Sequence, residues 1–90
     1  MEVLIKVNYR WLSFDGRVLE RFGGENLKSE RIHIKMIDSI VLAPPDRHGY
    51  QELRLSFAGG GSMSFGDVKP DDIGEAQKLV AAVTGAMHPS

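Results

Sequence analysis

The spacing of apolar side chains changes once along this chain, and that change constrains the fold more than any other feature. Through residues 2–66 apolar residues recur mainly at every second position, which is typical of β-strands that bury one face. After residue 70 they recur at helical spacing, which predicts one amphipathic helix over about residues 70–86. The apolar stripe of that helix is formed by Ile73, Ala76, Val80, Val83 and Met87, with Leu79 beside it. Strands followed by one terminal helix predict an α+β fold.

About five to seven strands fit the alternating part of the sequence. The first is EVLIKV, and RIHIKMIDSIVLA is interpreted as two strands separated by a kink near Lys35-Met36. YQELRLSF alternates without interruption, and the glycines at 59–61 turn the chain into a returning strand, SMSF. The apolar positions assigned to the strands are Val3, Ile5, Val7, Ile32, Ile34, Ile37, Ile40, Leu42, Leu53, Leu55, Phe57, Met63 and Phe65. A strongly bent antiparallel sheet capped by the helix, which is a split barrel, is therefore predicted.

The length and the charge of the chain limit its functions. Its 90 residues are expected to form one domain that spans residues 1–90. The 11 lysines and arginines against 12 acids give a net charge of −1, so no strong field attracts nucleic acid, which is not expected as a partner. The sequence has no cysteine, no secretory leader and no apolar run long enough for a bilayer, so a cytoplasmic protein is expected.

The pair Asp15-Gly16, between two alternating segments, is a strong signal for a β-hairpin. A two-residue turn at this pair predicts that Arg10 lies opposite Arg21 and that Leu12 lies opposite Leu19. Two arginines opposite each other repel, so the hairpin requires an acid, a bound anion or solvent beside them.

Three arginines of this hairpin, Arg10, Arg17 and Arg21, form the candidate ligand face. Guanidinium groups match planar anions, so the ligand class that this face suits is a phosphate or a carboxylate. The alternative is a solvated surface of the hairpin, where Asp15 and Glu20 offset the arginine charges. Both interpretations are carried forward.

Some apolar residues lie outside this pattern. Tyr9, Trp11 and Phe22 share the other face of the hairpin and are interpreted as a core or edge cluster. Leu4 and Val41 are out of phase with their apolar neighbours, and they would form a small adhesive patch if both were exposed. An open sheet also has edge strands with unpaired backbone groups, which favour strand addition or self-association.

The order of these segments resembles that of small bacterial pleckstrin-homology-like domains. The resemblance covers nearly the whole chain and rests on WLSFDGRVLERF, RIHIKMIDSIVLA, GYQELRLSF, SMSF and DDIGEAQKLVAAV. The spaced aliphatic residues of the second segment, and Gly49-Tyr50 at the start of the third, are similar to the pattern of that group. The resemblance implies an antiparallel, barrel-like sheet that is plugged by the C-terminal helix.

The same resemblance implies binding rather than catalysis, and some bacterial members assemble into oligomers. Together with the absence of catalytic residue sets, this fold pattern favours a module that binds a protein or peptide and self-associates into a homo-oligomer. Eukaryotic members bind phosphoinositides through a basic motif around the first hairpin loop. Here that loop is Asp15-Gly16, which has an acid and no lysine cluster, so phosphoinositide binding is not expected of this chain. Peripheral contact with a membrane is therefore not favoured. An anionic lipid or phosphate ligand at Arg10, Arg17 and Arg21 is the alternative function.

The sequence predicts no catalytic, cofactor or metal site. His33, His48 and His88 lie far apart, and none has another ligand at metal-binding spacing. The glycines at 59–61 lead into a strand, whereas a phosphate loop leads into a helix. The acids at 67–72 fit a helix start better than a calcium loop. An enzyme of unrecognised type is the least favoured class of function.

Overall fold

The computed structural model describes residues 3–7, 10–23 and 29–88. Within them the chain forms seven antiparallel strands followed by one α-helix, which confirms the α+β fold. The elements are β1 (Val3–Val7), β2 (Arg10–Phe14), β3 (Val18–Phe22), β4 (Glu30–His33), β5 (Ile37–Leu42), β6 (Gln51–Phe57), β7 (Ser62–Val68) and α1 (Ile73–Met87). Two 3-10 turns accompany them, Ile34–Met36 between β4 and β5, and Pro70–Asp72 before α1.

The strands are arranged in two sheets. The first sheet has the order β1-β2-β3-β4, and the second has the order β5-β6-β7. Because β1 contacts β7, the sheets meet along these two strands, and β4 and β5 form the remaining edges. Among the described residues the two sheets are separate and do not form one closed barrel, so the split barrel stays a prediction.

One core joins the inner faces of both sheets to the helix. Alternation along β1 buries Val3, Ile5 and Val7, as predicted, since every second side chain of the strand lies on the core side. The helix packs on β1, β2 and β5, and Leu79 is fully buried, whereas Val80 is only partly buried. The remaining core residues are Leu12, Phe14, Leu19, Ile32, Ile37, Ile40, Leu53, Leu55, Phe65, Val68, Ala76 and Val83.

The boundary between the last strand and the helix differs from the prediction. β7 continues past residue 66 to Val68, which is fully buried. Gly66 has a φ of +102° and lies at a register shift between β6 and β7, so a bulge carries the strand onward. The helix begins at Ile73, after the 3-10 turn. Within the described residues no helix has both the length and the apolar character needed to cross a membrane.

The hairpin between β2 and β3 has a different register from the predicted one. Leu12 lies opposite Arg21, and Phe14 lies opposite Leu19, so the turn is centred one residue later, on Gly16 and Arg17. The predicted opposition of Leu12 to Leu19 and of Arg10 to Arg21 is therefore wrong.

The side chain of Asp15 explains this register. One carboxylate oxygen accepts hydrogen bonds from the backbone N–H groups of Arg17, at 2.8 Å, and Val18, at 2.9 Å. Such an aspartate-centred turn folds the chain after Asp15, and Gly16 supplies the positive φ, +106°, that the turn needs. These bonds also lower the pKa of Asp15, with Val18 as the larger cause.

The 3-10 turn Ile34–Met36 joins the sheets at the position of the predicted kink. The backbone N–H of Ile34 donates to the carbonyl of Arg17, at 2.9 Å, and the N–H of Ala58 donates to the carbonyl of Met36, at 2.9 Å. The backbone N–H of Lys35 donates to Nδ1 of His33, at 3.1 Å. The turn is thus hydrogen-bonded to the hairpin of one sheet and to the end of β6 in the other.

We expect the substitution Leu79→Ala to lower the free energy of unfolding by about 2–4 kcal/mol, because it leaves a cavity where helix and sheets meet. Gln77→Ala, at an exposed position of the same helix, is the control and should change it by less than about 0.5 kcal/mol. Urea unfolding of both variants is the measurement. Equal effects of the two substitutions would contradict the assigned packing of α1.

Candidate functional site

Arg10 and Arg21 lie close together at the end of the first sheet and share one acid. Their side chains are only 14% and 18% exposed, and both contact Oε1 of Glu30 on β4. The distance to this oxygen is 3.4 Å from Nη1 of Arg10 and 3.0 Å from Nε of Arg21, and Nη2 of Arg21 also donates to it. Glu30 therefore supplies the acid that the two arginines require.

These contacts stabilise the charged form of Glu30. Its pKa is held below the ordinary value mainly by the hydrogen bond from Arg21, while partial burial opposes the shift and the charges of both arginines add to it. The guanidinium carbon of Arg21 also lies 5.4 Å from the ring centroid of Phe65, in the other sheet. Arg21 thus has a structural role at the junction of the sheets.

Arg17 lies apart from this pair. It occupies the exposed hairpin turn, whereas Arg21 is near the far end of β3. The acids expected to offset the arginines are engaged elsewhere: Asp15 by backbone N–H groups, and Glu20 by Nε of Arg31 at 3.1 Å. The structure therefore brings two of the three candidate arginines together, around Glu30, and leaves the third at the turn.

A groove lies where the start of β5, the 3-10 turn Ile34–Met36 and the C-terminal end of α1 meet. It has a volume of about 310 Å³ and is lined by Ile34, Lys35, Ile37, Asp38, Ala86, Met87 and His88. Its apolar side chains are buried or partly buried, while Lys35, Asp38 and His88 are exposed at its margin. Sequence reasoning did not identify this groove, because its two walls lie about fifty residues apart and neither carries a motif.

The free edge of β5 continues from this groove. Within the described residues β6 is the only strand that pairs with β5, and the N–H of Ala43 donates to the carbonyl of Glu52, at 2.8 Å. Backbone groups alternate in direction along an antiparallel ladder, so those of Ile40 and Leu42 are directed away from β6. Residues 39–43 include no charged side chain.

The other outer edge, β4, has a different character. Arg31 is ion-paired with Glu20, and Glu30 is bonded to the two arginines, so two of the four residues of this strand are charged and ion-paired. A second cavity of about 300 Å³, near the hairpin, is lined by Ser13, Asp15, Val18, Glu20 and Arg31. Its carboxylates are those already bonded to the backbone of the turn and to Arg31. β5 is therefore the less protected edge.

Both apolar residues that were out of phase with their neighbours are exposed. Leu4 is 50% exposed and Val41 is 49% exposed. They lie in different sheets, so a single patch does not follow from their exposure. Trp11 is also exposed, with Nζ of Lys6 at 5.9 Å from its ring centroid. Tyr9, the third member of the predicted aromatic cluster, lies outside the described residues.

No group of three or more histidine, aspartate or glutamate residues that could hold a metal ion occurs within the described ranges. Comparison with protein-family models, with curated proteins and with solved structures finds no significant match.

We expect Glu30→Gln to lower the free energy of unfolding at neutral pH by about 1–2 kcal/mol, because two partly buried guanidinium groups lose their carboxylate. The loss is no larger because Glu30 itself is partly exposed, and solvent weakens its ion pairs. Glu75→Gln, which removes the exposed pair with Lys78, is the matched control and should change it by less than about 0.5 kcal/mol.

The effect of Glu30→Gln should depend on pH. Since folding lowers the pKa of Glu30, its contribution is complete above the pKa of the unfolded chain and is lost as the pH falls through the folded pKa. The difference between wild type and variant should therefore be smaller at about pH 3 than at about pH 7, measured by urea unfolding. An equal difference at both values would show that the charge of Glu30 does not matter.

Proposed function

We propose that this chain is a non-catalytic, pleckstrin-homology-like interaction module of the cytoplasm, which binds an extended protein or peptide segment at the edge of β5. The observation that carries the proposal is the continuity of residues 39–43, an uncharged part of the chain along the unpaired edge of β5, with a groove whose apolar side chains are bordered by Lys35, Asp38 and His88. A backbone that pairs with this edge gains hydrogen bonds, and its side chains gain an apolar contact. Both are needed for recognition by strand addition.

The edge and the groove supply different parts of the binding. The backbone groups of Ile40 and Leu42 pair with the N–H and C=O groups of the segment. Alternate side chains of an added strand lie on opposite faces of the sheet, so one set meets the groove beside Met87 and the other meets exposed Val41. The preferred segment is therefore extended, with an apolar residue at the groove.

The order of the elements supports the pleckstrin-homology-like assignment. Seven antiparallel strands come first, in a four-stranded and a three-stranded sheet, and the helix comes last; antiparallel strands followed by a C-terminal helix are what the resemblance implies. The helix packs against both sheets and forms one wall of the groove. Within this assignment the helix both completes the core and shapes the binding surface.

The alternative ligand, an anionic lipid or phosphate at the arginines, meets a local obstacle. Arg10 and Arg21 already bind Glu30, so an anion competes with that carboxylate for both of them. If the alternative holds, Glu30→Gln should increase retention on vesicles that contain phosphatidylserine, and added salt should reverse the increase. If retention does not change, the arginine pair is structural.

The peptide proposal can be tested with a displayed library of random peptides about ten residues long, which exceeds a typical strand. We expect the immobilised domain to enrich sequences with alternating apolar residues. Met87→Glu should weaken their binding by at least about tenfold, because it introduces a carboxylate into the groove. Gln77→Glu adds the same charge to the exposed side of α1, away from the groove, and should leave binding unchanged.

Amide hydrogen exchange identifies the binding edge. In the complex with an enriched peptide, exchange at Ile40 and Leu42 should slow, since their N–H groups become hydrogen-bonded. If no peptide is enriched, the proposed function is wrong. If an enriched peptide leaves both exchange rates unchanged, the site is not the edge of β5.

A further inference from the structure

We propose that His33 makes the turn Ile34–Met36, and with it one wall of the groove, sensitive to pH. Protonation of the imidazole of His33 removes the hydrogen bond with which this turn begins, so the turn opens more readily in acid. The response of the turn depends only on contacts within the chain. Its effect on a peptide in the groove rests on the proposed function, and it adds regulation by protons to that site.

The side chain of His33 caps the turn that follows it. The backbone of this residue is extended, with φ −73° and ψ 143°, and Nδ1 accepts a hydrogen bond from the backbone N–H of Lys35, at 3.1 Å. A ring nitrogen that accepts a hydrogen bond carries no proton, so the capped turn requires the neutral imidazole with its proton on Nε2. In the imidazolium both ring nitrogens are donors, so two N–H groups face each other. Protonation therefore breaks this bond.

The turn is short, so one hydrogen bond is a large part of what holds it. Inside the turn the N–H of Ile37 donates to the carbonyl of Ile34, and the bond from Lys35 to His33 closes its first residue. Without that acceptor the N–H of Lys35 loses its partner at the beginning of the turn. Ile34 and Lys35 also line the groove, on the wall that faces Met87. Opening of the turn therefore changes the shape of the groove.

The charges around His33 do not replace the lost bond. Val18 lies opposite His33 in the sheet, Arg31 is two residues earlier on the same face, and Glu20 is already bonded to Arg31. The charged or titratable residues on the elements around this side chain are Asp15, Arg17, Glu20, Arg31, Lys35, Asp38 and His88. Within the described residues none of the acids forms an ion pair with His33. The imidazolium thus gains no carboxylate partner that offsets the loss.

The direction of the effect follows from which form of the imidazole holds the bond. Histidine side chains change charge between about pH 5 and pH 8. The neutral form is the acceptor, so the bond contributes fully at about pH 8 and its contribution is lost as the pH falls toward about 5. Loss of one capping hydrogen bond is expected to change an unfolding equilibrium constant by about fivefold.

The substitution His33→Asn separates the proton from the cap. Asparagine is a favoured capping residue whose side-chain oxygen accepts the same kind of bond, and it does not titrate. Urea unfolding of wild type and variant is compared at about pH 8 and about pH 5, and groups common to both chains cancel. Relative to the variant, the unfolding equilibrium constant of the wild type should be about fivefold larger at the lower pH. His48→Asn, in the loop between β5 and β6, is the control and should show no such change.

Amide hydrogen exchange places the effect at the turn. Protection of the N–H of Lys35, corrected for the intrinsic rate at each pH, should fall about fivefold from about pH 8 to about pH 5 in the wild type. In His33→Asn it should stay constant, and in His33→Ala it should be low at both values because the acceptor is absent. If the wild type and His33→Asn respond equally to pH in unfolding and in exchange, the proposal is wrong.

Peptide binding at the same two pH values tests the consequence for the groove. An enriched peptide without acidic residues or histidine should bind the wild type about two- to fivefold more weakly at the lower pH, because the protonated chain must first close the uncapped turn. His33→Asn should bind it equally at both values. His88→Asn, at the margin of the groove, should keep the wild-type difference.

The proposed function and the pH response fail separately. If no peptide is enriched, the proposed function is wrong, while unfolding and exchange still decide whether His33 controls the turn. If a peptide binds the wild type equally at both pH values although the turn responds, the regulation of the groove is wrong.

Discussion

The fold depends on the burial of one face of α1 between two sheets. Neither sheet can cover its own apolar face, since each is a single layer, and the helix supplies Ala76, Leu79 and Val83 to the space they share. The same packing fixes the position of the C-terminal end of the helix beside β5. The groove is therefore a consequence of core formation, because the residues that end the buried stripe also form its wall.

The pairing of charged side chains also depends on how the strands are arranged. Arg10 and Arg21 extend from the core side of the first sheet, where two unpaired charges would be unfavourable, and Glu30 meets both. Glu20 and Asp15, which are nearer in sequence, are bonded to Arg31 and to the hairpin backbone. Strand order, and not sequence distance, determines which acid neutralises which base.

The spacing of apolar residues along the chain predicted much of the fold. Alternation identified the buried face of β1, and the helical spacing of Ile73 to Met87 identified α1, because periodicity directly records which side of an element is covered. The predicted hairpin register was wrong. The turn position depends on hydrogen bonds from the backbone of Arg17 and Val18 to the side chain of Asp15, and the pair Asp15-Gly16 alone does not reveal these bonds.

The candidate site was less predictable, for a related reason. The arginines are visible in the sequence, but Glu30 is remote from Arg10 along the chain and becomes its partner only through the order β2-β3-β4. The edge status of β5 likewise depends on sheet order. The sequence shows that residues 39–43 are uncharged, yet only the assembled sheet shows that, in the described part of the chain, they pair with β6 on one side and with no strand on the other.

Along the ranges that the structure describes, the chain passes from the first sheet to the second at the turn Ile34–Met36. This turn is hydrogen-bonded to Arg17 on one side and to Ala58 on the other, and Ile34 also lines the groove. A ligand bound in this groove, as we propose, would therefore contact the residues that join the two sheets, and its binding would add to the stability of the folded chain.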